Sequence, residues 1–363
     1  MAGDNNTDRL RRITETLLDP AAAPGVLRET TIEMHTLFSR ICGMDPDDTA
    51  SDDSRETILP AGKALSPQGA ALCVFDYART SKFLRGIRAA IDEAQRRFPG
   101  ETLHVFYAGC GPFAALLLPL ATVLRPGQVQ FTLLDVHPRS LQHVRRIVEA
   151  LDLSAFIREY LECDATVYDH GQESPIHILV IESMQKALAK EPQVALAMNL
   201  VPQMSPSGIL IPERITLTAA LADINAEILG GSNEGDATGV RDGSQARGER
   251  VALGALFEVS VDAVRSYEVQ AFDDDVRCIP ARTVAARRPT SDTQQPVILT
   301  RIQVFDSITL GDYESGLTYP TVLPNQDLVA EPGFVSFVYR LGRDPGLVST
   351  LARDQPEGHS IRK

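Results

Sequence analysis

Hydrophobic residues along this chain recur with two different spacings, and the spacing changes from one part of the chain to the next. In the N-terminal part they follow the helical period, which predicts helices over residues 7–18 and 25–41 and a helical region over residues 68–97. The acidic run over residues 44–56 has the composition of a solvated linker. The chain is therefore expected to begin with helices and a polar connection.

From residue 103 onward, short apolar runs alternate with helical patterns. The apolar runs predict strands over residues 103–109, 128–136, 156–165, 176–183 and 208–212. The segments between them predict one helix that starts at Phe113 and two more that cover residues 140–151 and 191–203. Strands that alternate with helices form a parallel sheet with helices on both faces. The middle of the chain is therefore expected to be an α/β domain.

After Arg214 the character changes to short runs rich in β-branched and aromatic residues, over residues 215–224, 256–261, 296–310 and 333–342. These predict an antiparallel sheet or barrel, with mobile loops at residues 230–250 and 287–296. The predicted fold class is α/β. It has a helical extension and acidic linker (1–58), a Rossmann-like domain (59–213) and a β-rich, barrel-like domain (214–363).

Composition narrows the function. The 363 residues are 44% hydrophobic and carry a net charge of −13, which argues against a nucleic-acid partner and suits a cationic small molecule. No apolar run is long enough to cross a membrane, and the N-terminus lacks the apolar core of a secretory signal. The five cysteines have neither close pairing nor metal-ligand spacing, so we expect free thiols, no bound metal and a cytoplasmic location.

A glycine turn closes the first predicted strand with Gly109, Cys110 and Gly111, where backbone N–H groups can approach a polar ligand. Asp135 ends the second strand, where a carboxylate can bind ribose hydroxyls. The third strand ends in Asp164 and Ala165, which can meet an adenine edge. A nicotinamide dehydrogenase is the competing interpretation, but that fold usually keeps a third glycine, and Phe113 follows Pro112 here.

This constellation resembles the class I methyltransferases that use S-adenosyl-L-methionine (SAM). The resemblance implies SAM as the cofactor, bound by the residues of the three strand ends. The sequence departs from the family pattern at Tyr107, which stands where an acidic residue commonly contacts the methionine ammonium.

The fourth strand leads into IESMQKALAKEP, with Glu182, Met184 and Glu191, and then into GILIPERITL. This stretch resembles the arginine methyltransferases, in which a loop with two glutamates follows this strand. The resemblance implies that Glu182 and Glu191 hold the substrate guanidinium and that Met184 lies over the reacting centre. It also implies that Arg79 clamps the methionine carboxylate of SAM and that Glu182 contributes to the cofactor site.

Two carboxylates suit a guanidinium, because this planar cation presents a fork of donors that carboxylates accept bidentately. The alternative is that Glu182 and Glu191 are ordinary surface acids, with Glu191 opening a helix ahead of Pro192. Among the histidines, His137 and His143 are expected to be structural, and His170 is a further candidate site residue.

The Thr-His-Trp loop of the protein-modifying members is missing, since the chain has no Trp. We therefore expect a small guanidino acceptor such as free arginine, in bacterial specialised metabolism. The resemblance also implies a homodimer, for which residues 236–266 could supply an arm. Two rivals stay open, namely a methyltransferase for another small amine, carboxylate or phenol, and a non-catalytic partner protein with the same fold.

Overall fold

The computed structural model describes residues 5–45, 51–171, 174–230, 250–273, 276–323 and 333–352. Two predicted helices are present at the start, α1 (Asn6–Leu18) and α2 (Pro24–Cys42). The side chain of Asn5 caps α1 by accepting the N–H of Thr7, and α2 ends at Gly43 in the left-handed conformation. Both helices bury an apolar face, as their spacing predicted.

A short hairpin follows, made of β1 (Thr57–Leu59) and β2 (Gly62–Ala64), and then two helices, α3 (Pro67–Leu72) and α4 (Tyr77–Arg97). The sequence predicted a helical region over residues 68–97, and the structure divides it. A 3₁₀ turn (Cys73–Phe75) separates the two helices, and Asp76 caps α4 by accepting the N–H of Arg79 at 3.1 Å.

The acidic run was expected to be solvated, and the structure corrects this at Asp53. This residue is 5% exposed, and its carboxylate accepts hydrogen bonds from Arg139 at 3.0 Å and from the ring of His143 at 3.0 Å. Burial of a carboxylate requires such partners. His143 therefore has the structural role expected of it, while residues 46–50 of the run lie outside the described ranges.

The middle of the chain forms a parallel sheet with short helices between its strands. In chain order these elements are β3 (Leu103–Ala108), α5 (Leu118–Ala121), β4 (Val129–Asp135), α6 (Pro138–Ala150), β5 (Ile157–Glu162), β6 (Ile176–Ile181), α7 (Gln193–Leu200) and β7 (Met204–Ile211). The strand order is β5-β4-β3-β6-β7, and every pairing is parallel. The order reverses at β3, and crevices for ligands form at the carboxyl edge beside such a strand.

The helix predicted to start at Phe113 does not form there, since α5 begins at Leu118. Ala114 has φ of +39°, which interrupts helical geometry, and the Phe113 ring packs on Phe38 and His35 of α2. Contacts with α2 thus override the local pattern. Similarly, α7 starts at Gln193 rather than Glu191, because Pro192 occupies its N-cap position.

The C-terminal part is built from antiparallel strands. In chain order its elements are β8 (Arg214–Ala222), α8 (Ile224–Gly230), β9 (Val251–Val259), α9 (Val261–Arg265), β10 (Gln270–Asp273), β11 (Val276–Ala285), β12 (Gln295–Phe305), β13 (Ile308–Leu310), β14 (Thr321–Val322), β15 (Phe334–Arg340) and β16 (Gly346–Ala352). Within the described ranges they form one sheet in the order β13-β12-β8-β9, with β14 beside β12, and another in the order β10-β11-β15-β16. The predicted α/β fold with N-terminal helices and a β-rich C-terminal part is confirmed.

Most of the predicted loop at residues 230–250 lies outside the described residues. The loop predicted over residues 287–296 is shorter than expected, because β12 begins at Gln295. The arm expected over residues 236–266 is corrected in part. Residues 251–259 form β9, which pairs with β8 as the last strand of that sheet, so this portion is part of the sheet rather than a projecting arm.

Candidate active site

A cavity of about 280 Å³ lies at the carboxyl edge of the parallel sheet. The ends of β3, β4 and β6 and the β1–β2 hairpin contribute to its wall. The predicted cofactor and acceptor residues all line it, namely Arg79, Gly109, Cys110, Gly111, Asp135, Asp164, Ala165, Glu182, Met184 and Glu191. The fold therefore brings the residues predicted to bind the cofactor and those predicted to bind the acceptor into one cavity.

The glycine turn packs tightly against the end of β6. Gly109 and Gly111 have φ of +74° and +64°, and a Cβ on Gly109 would lie 2.5 Å from Oγ of Ser183. The N–H groups of Gly109 and Cys110 both donate to the carbonyl of Leu134, at 2.9 Å each. Burial raises the pKa of the Cys110 thiol, so the thiol stays protonated and is a poor nucleophile.

Asp135 joins the glycine turn to the start of α6. One carboxylate oxygen accepts the N–H of Gly111 at 2.8 Å, and the other accepts the N–H of His137 at 2.8 Å. The ring nitrogen Nδ1 of His137 also lies 3.4 Å from Oδ1, whereas Oδ2 keeps a lone pair that can accept a donor from a ligand. Asp164 has a similar local role, since its carboxylate accepts the N–H and the hydroxyl of Thr166 at 2.9 and 2.7 Å.

Arg79 and Glu182 form an ion pair in the cavity wall, with side chains 14% and 2% exposed. The pair uses Nη2 of Arg79 and Oε2 of Glu182. The second oxygen of Glu182 is buried and accepts no hydrogen bond from any residue that the structure describes. A buried carboxylate oxygen without a donor is costly, so this atom is suited to a cationic ligand in the cavity.

Glu191 is 5% exposed and lies in the same wall. Burial raises the pKa of Glu191, while a hydrogen bond from Gln185 and the charges of Arg79 and Lys63 act in the opposite direction. A carboxylate with a raised pKa is a better proton acceptor than an exposed one. Two buried carboxylates therefore face one cavity, which does not fit the alternative that both are surface acids.

The loop between these glutamates is held in an unusual backbone conformation by the C-terminal strands. Ala187, Leu188 and Lys190 have φ of +58°, +55° and +67°, and such conformations cost about 1–3 kcal/mol each. Thr300 accepts the N–H of Ala187 at 3.0 Å, and Tyr339 donates to the carbonyl of Leu188 at 2.7 Å. The antiparallel sheets thus fix the positions of both glutamates.

The other candidates are placed as follows. Met184 is 4% exposed and contacts the cavity, as does Tyr107, whose pKa is raised by burial so that its hydroxyl stays protonated. His137 precedes α6 and also lines the cavity. His170 does not line it, since its ring bonds the carbonyl of Ser174 at 2.7 Å.

The β1–β2 hairpin also contributes to the cavity wall, through Leu59, Lys63 and Ala64, and the sequence pattern did not predict this contribution. The turn Pro60-Ala61-Gly62 was the available signal. Elsewhere in the described ranges no helix is long and apolar enough to cross a membrane, and no group of His, Cys, Asp and Glu could hold a metal.

No protein family matches the sequence, and no curated protein matches it either. Among solved structures, the chain is similar to the PRMT1 enzyme–prozyme heterotetrameric complex of Trypanosoma brucei with AdoHcy. That match has 12% sequence identity and a TM-score of 0.47, and it covers 78% of this chain and 92% of that one.

Proposed function

We propose that this protein is a SAM-dependent methyltransferase that methylates the guanidino group of a small acceptor such as free arginine. The observation that carries the proposal is the pair of buried carboxylates, Glu182 and Glu191, in one cavity with the glycine turn and Asp135. A cavity with these features on a Rossmann-like sheet suits a nucleotide-like cofactor beside a cationic acceptor.

The cofactor half of the cavity has suitable groups for SAM. Asp135 would bind the ribose hydroxyls, Asp164 and Ala165 would meet the adenine, and the glycine turn would leave space for close backbone approach. Arg79 uses one nitrogen on Glu182 and keeps other donors for the methionine carboxylate. The phenol of Tyr107 can accept a hydrogen bond from the methionine ammonium in place of the missing acid.

SAM supplies an electrophilic methyl group on a sulfonium sulfur. Glu182 and Glu191 would orient the planar guanidinium and draw its positive charge toward the nitrogens that they bind. The remaining nitrogen then keeps electron density for attack on the methyl group. As the new N–C bond forms and the bond between sulfur and the methyl carbon breaks, this nitrogen would lose a proton, and Glu191, with its raised pKa, would accept it.

A small acceptor is favoured because chain segments from the N-terminal side line the cavity. Leu59, Leu65 and Val74 come from the hairpin, the segment after it and the turn before α4. Tryptophan, and with it the Thr-His-Trp loop expected for peptide substrates, is absent from the sequence. Homodimer formation and a cytoplasmic location stay predictions, and light scattering on the purified protein would test the first.

The test replaces each glutamate with glutamine, which keeps the shape and removes the charge. We expect Glu182→Gln and Glu191→Gln to lose about 10²–10³ in kcat with free arginine, the usual cost of removing one charge-stabilising group. Because the two carboxylates act on one guanidinium, the double variant should be much less than additive. The Kd for SAM should change most in Glu182→Gln, since Glu182 also pairs with Arg79.

The matched control is Glu149→Gln, an exposed glutamate on α6 that does not line the cavity. It should keep wild-type turnover. If Glu182→Gln and Glu191→Gln also turn over arginine at the wild-type rate, the guanidino proposal is wrong and the acceptor belongs to another class. If calorimetry detects no SAM binding to the wild type, the non-catalytic alternative is correct.

A further inference from the structure

Lys63 is a cavity residue that the proposed function leaves without a role. It lies in β2, and its N–H donates to the carbonyl of Lys190 at 2.8 Å. A Cβ on the preceding Gly62 would lie 2.9 Å from that carbonyl oxygen and 3.1 Å from the carbonyl carbon of Glu191. The hairpin backbone therefore packs directly on the Glu191 segment, and this contact fixes where the lysine side chain starts.

The ammonium group of Lys63 is available to a ligand. It bonds Glu56 at 2.8 Å, but the Glu56 side chain is 49% exposed and that of Lys63 is 22% exposed. Ion pairs with this degree of exposure contribute about 0–1 kcal/mol, so a ligand can replace Glu56 at little cost. The positive charge of Lys63 also acts to lower the pKa of Glu191, which lines the same cavity.

The charges of the cavity wall show what this ammonium can bind. The cationic or basic side chains that line it are Lys63, Arg79 and His137. Arg79 is paired with Glu182, and the His137 ring bonds the hydroxyl of Thr57 at 3.0 Å. Of these three side chains, Lys63 has the partner that a ligand can replace most easily, because Glu56 is half-exposed. Lys63 is therefore the best placed of the three to bind an anionic group of the acceptor.

We propose that Lys63 is a specificity-determining residue that binds the carboxylate of the acceptor, so that the substrate class is guanidino amino acids rather than simple guanidines. This inference rests on the proposed function, because it assumes that Glu182 and Glu191 hold the guanidinium. An acceptor that carries a cation at one end and a carboxylate at the other matches a site with paired glutamates and a nearby ammonium.

The test compares free arginine with agmatine, which is arginine without its carboxylate. In Lys63→Met we expect the KM for arginine to rise by about tenfold or more, the scale of one charge-assisted hydrogen bond, with kcat nearly unchanged. The KM for agmatine should stay within about twofold, because agmatine has no group for Lys63 to bind. Wild-type kcat/KM should accordingly favour arginine, and Lys63→Met should remove most of that preference.

Three further variants sharpen the result. Lys63→Arg keeps the charge and should retain the preference for arginine. Glu56→Gln removes the competing carboxylate, so the KM for arginine should fall or stay constant. Lys82→Met is the matched control, since Lys82 pairs with Glu314 at 2.7 Å and does not line the cavity, and it should leave the arginine-to-agmatine ratio unchanged.

The outcomes separate this inference from the function on which it rests. If Lys63→Met impairs arginine and agmatine equally, Lys63 serves as a counter-charge for Glu191, and the specificity role is wrong while the methyltransferase stands. A wild type that uses the two acceptors equally well also overturns the inference. If the wild type methylates neither compound, the proposed function is wrong, and so is this inference.

Discussion

Arg79 and Glu182 lie 103 residues apart in the sequence and form a buried ion pair in the cavity wall. Arg79 is in the first turn of α4, and Glu182 directly follows β6. A Cβ on Gly86 of α4 would lie 2.4 Å from Cγ1 of Val304, so close packing on β12 fixes the helix that carries Arg79. The ion pair thus connects a residue proposed to bind the cofactor, Arg79, with one proposed to bind the acceptor, Glu182.

This contact predicts a double effect for Arg79→Lys. Lysine keeps the charge but lacks the planar fork of five donors, so it should bond Glu182 and the methionine carboxylate less well than one guanidinium does. We expect SAM affinity and kcat each to fall by about tenfold or more. Arg88→Lys on the same helix, where Arg88 pairs with Asp92, is the control and should change neither quantity. An Arg79→Lys enzyme with wild-type SAM affinity would show that Arg79 does not reach the cofactor.

Asp135→Ala tests the ribose assignment. Loss of charged hydrogen bonds should weaken SAM binding by about 1.5–3 kcal/mol, measured by calorimetry. Since Asp135 also accepts the N–H groups of Gly111 and His137, the thermal unfolding midpoint should fall as well. Unchanged SAM affinity in a folded variant would mean that another residue holds the ribose.

The raised pKa of Glu191 predicts a conflict between stability and activity. The folded state holds the Glu191 proton to a higher pH than the unfolded chain does, so stability falls as pH rises from the ordinary glutamate pKa to the raised one. Glu191→Gln should therefore unfold at a higher temperature than the wild type at neutral pH, and this difference should shrink in acid.

Activity should show the opposite trend, because the carboxylate must be ionised to hold a guanidinium. The acid limb of the wild-type kcat/KM profile should lie above the pH expected for an exposed glutamate. Melting curves across a pH series, together with this profile, check both parts. A Glu191→Gln variant that is less stable than the wild type at neutral pH would contradict the account.

Tyr339→Phe tests whether the C-terminal strands position the glutamates. It removes the hydrogen bond to the carbonyl of Leu188, which should cost about 1 kcal/mol of stability and lower kcat several-fold, with SAM affinity unchanged. The control is Tyr267→Phe, which removes a bond to the carbonyl of Glu258 away from the cavity. It should lose similar stability with full kcat. If both variants have the same kcat, the hydrogen bond from Tyr339 to the loop between the glutamates is not needed for catalysis.

Some of this fold follows from local sequence. The strands β3 and β6 are buried along their whole length, so continuous apolar runs marked them. The turn at residues 109–111 was predicted from its two glycines, and both adopt positive φ values in the structure. By contrast, the paired glutamates and Arg79 came from a family resemblance, because no local pattern links residues 103 positions apart.

Other features depend on contacts that local patterns do not contain. The helix expected at Phe113 is displaced because its ring packs on α2. Asp53 is buried because Arg139, 86 residues away, supplies its partner. The β1–β2 hairpin has strands too short to show a period, and so Lys63 escaped notice until the fold placed it in the cavity wall.

The most direct test of the central claim follows one methyl group. The purified protein is incubated with SAM that carries an isotopically labelled methyl, together with free arginine, agmatine or an arginine-containing peptide, and the products are identified by mass spectrometry. The account predicts that free arginine gains the labelled methyl on a guanidino nitrogen, with an equal amount of S-adenosyl-L-homocysteine, and that the peptide stays unmodified. Tight SAM binding without methylation of any guanidino compound would contradict it.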